Sequence, residues 1–279
     1  TNTTGVTVSL GAGDDTFDNN QGYSSQNDVI DGGAGNDTIW TGDGDDIVYG
    51  GDGDDHIAGE GGNDAIYGGA GNDTIESGSG TDVLSGGDGN DTINLEDGVK
   101  HIDGGDGTDI LDVWVSTDIT VDMAAGTISG TGVDGSTITG IEEIWGGSGN
   151  DTYIGGAANE TIYGWSGNDT ITGGAGDDYL EGESGSDIFT YEMGDGNDTI
   201  IGGAAGGWTD VIELQGMDGS VSIAGDTMTG QGWTLVLDAG SSFGTQSGES
   251  MTFSSDASGT IAFDDGATVT FDEIEKVTW

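Results

Sequence analysis

The chain contains no cysteine and no arginine, and its only lysines are Lys100 and Lys276. Without cysteine there is neither a disulfide framework nor a thiolate metal site. Against those two cations stand 53 acidic residues, a formal charge of −51. Nucleic acid and anionic membrane surfaces are therefore excluded as direct partners, since both are held by Lys and Arg. The same charge argues against phosphate binding, so the many Gly-x-Gly stretches are not nucleotide loops. No apolar run approaches the roughly 20 residues that a membrane span needs, and no segment strongly signals a helix. Thr1–Leu10 lacks the charged and apolar regions of a signal peptide, and the chain opens on Thr, as expected of a processed or excised fragment.

Catalytic equipment is equally sparse. The two histidines, His56 and His101, are too few for a zinc site without added carboxylates. There is no Gly-x-Ser-x-Gly elbow, no arginine clamp and no thiol nucleophile. Carboxylates abound, as a glycosidase pair would require, but a repeat accounts for most of them. The expectation is a chain that is not an enzyme and has no catalytic residue.

What the chain does have is a nine-residue phrase, Gly-Gly-x-Gly-x-Asp followed by a variable, a large apolar and another variable residue. Clear copies are Gly32–Trp40, Gly68–Glu76 and Gly86–Asn94. Ten consecutive nonads run from Tyr23 to Asp112, after an isolated copy at Leu10–Asp18. Five more fill Gly146–Thr190, and an offset copy lies at Met193–Ile201. The eighth position holds Ile30, Ile39, Val48, Ile57, Ile66, Ile75, Leu84, Ile93, Ile102 and Leu111, then Tyr153, Ile162, Ile171, Leu180, Phe189 and Ile200. A disordered acidic tract has this composition, but disorder has no reason to place a bulky apolar residue at every ninth step. Units this small bury nothing except against their neighbours, so the period implies a solenoid.

In each nonad three residues form a short strand whose position-eight side chain points inward, and the Gly-x-Gly run turns the chain through φ > 0. Two nonads make one coil, so stacked turns are 18 residues apart. Asp37, Asp55, Asp73, Asp91 and Asp109 form one column; Asp28, Asp46, Asp64 and Asp82 form the other. Coils stack about 4.8 Å apart, where neighbouring carboxylates repel by about 3 kcal/mol at an effective dielectric near 20. A hard dication reverses that sign. Calcium accepts six to eight oxygens from carboxylates and carbonyls, and glycine turns expose carbonyls, whereas magnesium demands tighter octahedral geometry. One buried aliphatic side chain per nine residues does not offset the entropy of ordering them. Calcium-coupled folding is therefore expected, with disorder in its absence.

The motif resembles the RTX (repeats-in-toxin, hemolysin-type) nonapeptide, a calcium-binding β-helix repeat, over more than half of the chain. The resemblance implies an all-β, right-handed parallel β-roll with calcium between stacked turns. It also implies export by a type I secretion system as an unfolded chain, and hence a secreted, extracellular protein. The family pattern puts the carboxylate ligand at position six: Asp28, Asp37, Asp46, Asp55, Asp64, Asp73, Asp82, Asp91 and Asp109, then Asp151, Asp169, Asp178, Asp187 and Asp198. The turn glycines expected to contribute are Gly33, Gly35, Gly42, Gly44, Gly51, Gly53, Gly69, Gly71, Gly78, Gly80, Gly87 and Gly89. One ion per stacked turn pair makes roughly ten calcium ions. The organisation expected is a first roll block (1–112), a β spacer (113–145), a second block (146–201) and a C-terminal β-rich cap (202–279). Ile141-Glu142-Glu143-Ile144 resembles spacer found between RTX blocks, and Thr260–Trp279 is similar to the stretch that precedes a Hint domain in some RTX proteins.

Departures from the pattern carry their own expectations. Strands are anticipated at Ile119–Met123, Gly126–Ser129 and Ser136–Thr139. In the last region Asp210–Leu214, Trp233–Leu237, Met251–Phe253, Thr260–Phe263 and Thr268–Phe271 read as antiparallel strands capping the solenoid. In the Leu95–Asp103 nonad, Leu95 and Glu96 replace the opening glycines and Lys100 replaces the aspartate. The Asp82 column should thus end one site early, either because a terminal coil drifts or because an ammonium replaces the ion. Glu160 also stands in place of an aspartate. An outward apolar stripe, Val29, Ile47, Ala65 and Val83 with Tyr49 and Tyr67, is expected to be covered by the spacer or the C-terminal region, or else to meet a partner. Trp165, which replaces a turn glycine, and Trp208 and Trp233 are candidates to stack on sugars or to pack. The expected role is a structural, stability or adhesion module of a larger exoprotein, or a polysaccharide-binding appendage of a lyase or epimerase. Its partners would be calcium and extracellular polysaccharide or a cell surface.

Overall fold

A computed structural model describes residues 5–19, 25–203, 209–217 and 219–279, excepting the side chains of residues 255 and 256. Tyr23 and Trp208 lie outside the described residues. Every regular element among them is a β-strand. Two compact units form: one contains residues up to Val115 together with Ala125–Trp145, the other Ser116–Ala124 together with Gly146–Trp279.

In the first unit the nonads become two stacks of parallel strands. One contains Val29–Ala34, Ile47–Asp52, Ala65–Ala70, Gly80–Asp88 and Gly98–Asp106; the other contains Thr38–Trp40, His56–Ala58, Thr74–Glu76, Thr92–Leu95 and Ile110–Val113. The register advances by one coil of two nonads: Ile30 pairs with Val48 and Val48 with Ile66, while Ile39 pairs with Ile57 and Ile57 with Ile75. Position-eight side chains from both stacks meet between them and are essentially inaccessible from Ile30 through Leu111. This is a parallel β-roll, and each added coil extends its apolar interior by two side chains.

Glycine at position two is required by the turn. Gly51 holds φ +123, and a Cβ there would strike the carbonyl of Gly33 in the preceding coil. Position five adds a rung that faces water. Asn36 Oδ1 accepts the Asp54 N–H (3.1 Å), Asp54 Oδ1 accepts that of Asn72 (2.8 Å), and Asn72 Oδ1 accepts that of Asn90 (2.8 Å).

Part of the spacer completes this unit. Ser136–Thr139 pairs parallel with Gly98–Asp106, and Glu143–Trp145 with Ile110–Val113, making one more coil. Thr127–Gly130 folds back antiparallel on Ser136–Thr139. The apolar stripe does not gain its expected cover: Ile47 (38 %), Tyr49 (46 %), Tyr67 (38 %) and Val83 (44 %) are exposed. Tyr49 and Tyr67 instead stack on each other, centroids 5.2 Å apart.

The second unit begins with Ile119–Asp122, parallel to Thr152–Ile154. Its two stacks then run through Thr170–Thr172, Ile188–Tyr191 and Val211–Leu214, and through Thr161–Tyr163, Tyr179–Glu181 and Asn197–Ile201. Asp210–Leu214 was expected to be antiparallel; it is instead another parallel coil of the roll. Thr268–Thr278 closes the unit, pairing parallel with both Asn197–Ile201 and Val211–Leu214. Its other edge pairs antiparallel with Ser250–Phe263, which also pairs with Trp233–Leu237. Met251–Phe253 and Thr260–Phe263 are thus one long strand. Trp233 is buried against Trp279 (5.7 Å) and Tyr191 stacks on Phe263 (4.5 Å), so aromatic packing seals the open end of the core.

Candidate metal centre

Each coil ends its Gly-x-Gly turn with a buried aspartate whose two oxygens have different surroundings. One oxygen is structural: Oδ1 accepts the backbone N–H of the aspartate one coil earlier. The Asp37 N–H goes to Asp55 Oδ1 (2.7 Å), Asp55 to Asp73, Asp73 to Asp91 and Asp91 to Asp109 (2.8 Å each). The second column repeats this from Asp28 through Asp46 and Asp64 to Asp82. In the second unit Asp151, Asp169 and Asp187 form one such chain, and Glu160, Asp178 and Asp198 the other.

The other oxygen is left without a partner. Oδ2 of Asp37, Asp46, Asp55, Asp64, Asp73, Asp91, Asp109, Asp169, Asp178 and Asp187 is buried and accepts no hydrogen bond. A buried polar atom in that state costs about 1–3 kcal/mol, so a repeated column of them calls for a ligand. Burial pushes the carboxyls of Asp64, Asp73, Asp169 and Asp198 up to about 7, opposed by the backbone N–H and reinforced by stacked carboxylates. Asp91 and Asp187 rise to about 6 for the same leading reason.

The orphaned oxygens face cradles lined by glycine. A Cβ on Gly164 would lie 2.8 Å from Asp169 Oδ2 and 3.0 Å from the carbonyl of Gly182, one coil on. Gly32, Gly50, Gly68 and Gly86 stand in the same relation to Asp37, Asp55, Asp73 and Asp91 and to the carbonyls of Gly50, Gly68, Gly86 and Gly104. Position-one glycines, absent from the expected set, therefore supply the carbonyl beside the orphaned oxygens of Asp37, Asp55, Asp73, Asp91 and Asp169, and Ser77 supplies it beside Asp64. The expected position-two and position-four glycines, Gly33, Gly35, Gly42, Gly44, Gly51, Gly53, Gly69, Gly71, Gly78, Gly80, Gly87 and Gly89, all turn with positive φ. Among the described residues no three acidic or imidazole side chains converge. Carboxylate mixed with backbone carbonyl is a donor set that fits a hard cation with oxygen ligands.

Three aspartates of the expected set differ, because their Oδ2 is already partnered. Asn19 Nδ2 donates to Asp28 (2.6 Å) and the Tyr153 hydroxyl to Asp151 (3.0 Å). At Asp82 the partner is Lys100, whose Nζ donates at 2.7 Å and also to the carbonyls of Gly78 and Asp97. Lys100 is fully buried and its strand stays in register with Gly80–Asp88, so the coil does not drift; an ammonium sits in the cradle. Asp210 was missed from sequence. It is buried, carries the Asp187 N–H on Oδ1 (2.8 Å), and burial raises its carboxyl to about 7.

The histidines, which follow Asp55 and Lys100 in the chain, have other partners. His56 lies edge-on to Trp40 (6.2 Å), and His101 is exposed with Nδ1 at 3.0 Å from Thr137 Oγ1.

Comparison with known proteins agrees with the geometry. The family model of the RTX calcium-binding nonapeptide repeat matches residues 23–57, 40–75, 49–84, 76–111, 143–159, 154–189 and 194–205, more than half of the chain. A comparison with curated proteins gives no match. With stacked aspartate turns and these matches together, the chain belongs to the RTX calcium-binding nonapeptide repeat family, whose repeats form a structural, calcium-binding β-roll module.

Proposed function

We propose that this module is a secreted, calcium-gated part of a larger exoprotein, exported unfolded by a type I system and folded by calcium outside the cell. The observation that carries this reading is the column of buried, unpartnered aspartate oxygens, most of them facing a glycine cradle. Metal-free, those columns are stacked like charges; with calcium they become the seam of the roll. The ligands are Oδ2 of the aspartates in the columns and turn carbonyls, those of the position-one glycines and of Gly33, Gly35 and their counterparts among them. Roughly ten ions would be held, at about 10⁻⁴–10⁻³ M as in extracellular modules. Such affinities leave the sites empty in a cell interior and filled outside. At tenfold excess over Kd each site adds about 1.4 kcal/mol to folding, so the set acts together as a switch.

Equilibrium dialysis with radioactive calcium tests this. Roughly ten ions with half-saturation near millimolar support it; two or fewer, or saturation below micromolar, overturn it. A second reading, an appendage that binds extracellular polysaccharide, rests on Trp165, which is 52 % exposed. Trp233 no longer contributes to it, being buried in the cap. Glycan binding in calcium that is lost in Trp165→Ala supports this reading, and binding unchanged by that substitution removes it.

A further inference from the structure

One aspartate column in each unit ends on the same device, built from residues outside the nonapeptide. In the first unit the Asp109 N–H, which has no following aspartate to receive it, donates to Glu142 Oε2 (3.0 Å). The Asp109 carbonyl accepts the N–H groups of Glu142 (3.1 Å) and Glu143 (3.0 Å). In the second unit the Asp210 N–H donates to Glu275 Oε2 (2.8 Å), and the Asp210 carbonyl accepts from Glu275 (3.2 Å) and Lys276 (3.1 Å).

The cradle is reproduced with the carboxylate. A Cβ on Gly104 would lie 2.7 Å from Asp109 Oδ2 and against the carbonyl of Gly140; a Cβ on Gly202 would lie 2.7 Å from Asp210 Oδ2 and against the carbonyl of Glu273. Gly140 and Glu273 each precede their glutamate by two residues and hold left-handed φ of +62° and +56°. Such a conformation is strained for a non-glycine residue, and Glu273 keeps it. Ile141 and Ile144 in one copy, and Ile274 and Val277 in the other, anchor the segment in the core. Asp109 Oδ2 is fully buried and accepts nothing.

We propose that these two places are calcium sites of their own: Asp109 with Glu142 and the Gly140 carbonyl, and Asp210 with Glu275 and the Glu273 carbonyl. Each replaces the aspartate of a missing next coil by a glutamate from a closing strand. Calcium there ties Glu143–Trp145 and Thr268–Thr278 to the last coils of their units, so that the closing strands order only when the columns fill. The inference rests on the calcium reading of the columns.

Calcium stoichiometry of the full chain, measured by equilibrium dialysis, tests both together. Glu142→Gln and Glu275→Gln keep an oxygen for the backbone N–H and remove the charge. Each is expected to lose one ion and the double variant two, as Asp73→Asn does within a column. Full stoichiometry in both glutamate variants, beside a loss in Asp73→Asn, overturns the closing sites and leaves the column reading standing. No loss in Asp73→Asn overturns the column reading and the closing sites with it. Should Glu142→Gln fail to fold in calcium, Glu142→Asp is expected to retain every ion with the last one at least tenfold weaker. Unchanged affinity in that variant overturns the proposal.

Discussion

The Lys100 ammonium lies 2.7 Å from Asp82 Oδ2 with both side chains fully buried. At the equivalent place in the neighbouring turns the aspartate oxygen has no partner. A protein cation thus occupies one cradle of a column in which the same oxygen of Asp46 and Asp64 has no partner. Lys100→Met removes the charge and strands Asp82 in the interior, a change expected to cost about 3–5 kcal/mol in calcium just sufficient to fold the parent chain. Lys100→Asp restores the repeat and is expected to bind one more calcium than the parent chain. Thermal unfolding across a calcium series, read with ion stoichiometry, checks both.

Tyr153 fills another cradle. Its hydroxyl donates to Asp151 Oδ2 (3.0 Å) and would lie 2.7 Å from a Cβ on Gly146. Tyr153→Phe keeps the ring in the core and frees the oxygen. The expected outcome is a loss of about 1 kcal/mol at low calcium together with one added ion at high calcium, measured by the same dialysis.

The position-one glycine has no positive φ; what excludes a side chain there is the close approach of an aspartate oxygen and of the next coil's carbonyl. Gly68→Ala drives a methyl into Asp73 Oδ2 and within 2.7 Å of the Gly86 carbonyl. It is expected to lose one ion and about 1–3 kcal/mol without altering charge. Gly61→Ala is the control: its Cβ would meet Asp43 Oδ1 at 3.3 Å and Ser79 Oγ at 3.5 Å, with no positive φ to strain. Calcium counts and denaturant midpoints of the two variants should separate accordingly.

The metal-free chain should respond to acid in the direction opposite to ordinary acid denaturation. Burial raises Asp64, Asp73, Asp169, Asp198 and Asp210 from 3.8 to about 7. The folded form therefore holds protons that the unfolded chain releases near pH 4. Stability from these groups is fully present below that pH and is lost as pH rises through about 7. Far-UV circular dichroism of metal-free protein should gain β signal between pH 8 and pH 4. Calcium competes with the same protons, so its apparent affinity should fall as pH drops below 7.

How much of this was legible in the sequence follows from which signals are local. The ninth-residue apolar column gave the coil, its register and its core, because a strand of three residues has only one inward side chain. The aspartate columns followed from the same count. Asp210 escaped because its predecessor Asp187 is 23 residues away rather than 18, and no Gly-x-Gly precedes it to mark a turn. Glu142 and Glu275 escaped because their partners lie 33 and 65 residues distant, a closure that no local pattern announces. Lys100 was visible as an exception, but the three oxygens that converge on its ammonium were not. The Asn and Asp rungs at position five were readable in principle, since the same residue types recur there. The cover expected over Ile47 and Tyr49 failed because β-branched and aromatic side chains suit a pleated surface without needing burial.

The most direct measurement is far-UV circular dichroism with small-angle scattering on the full chain at pH 8, first after exhaustive chelation and then in millimolar calcium. Metal-free protein is predicted to show a coil spectrum and a radius of gyration approaching roughly 60 Å, the value for an unfolded chain of this length; calcium should collapse it and bring up the β signal. An identical β spectrum and a compact radius in the chelated sample would contradict the account.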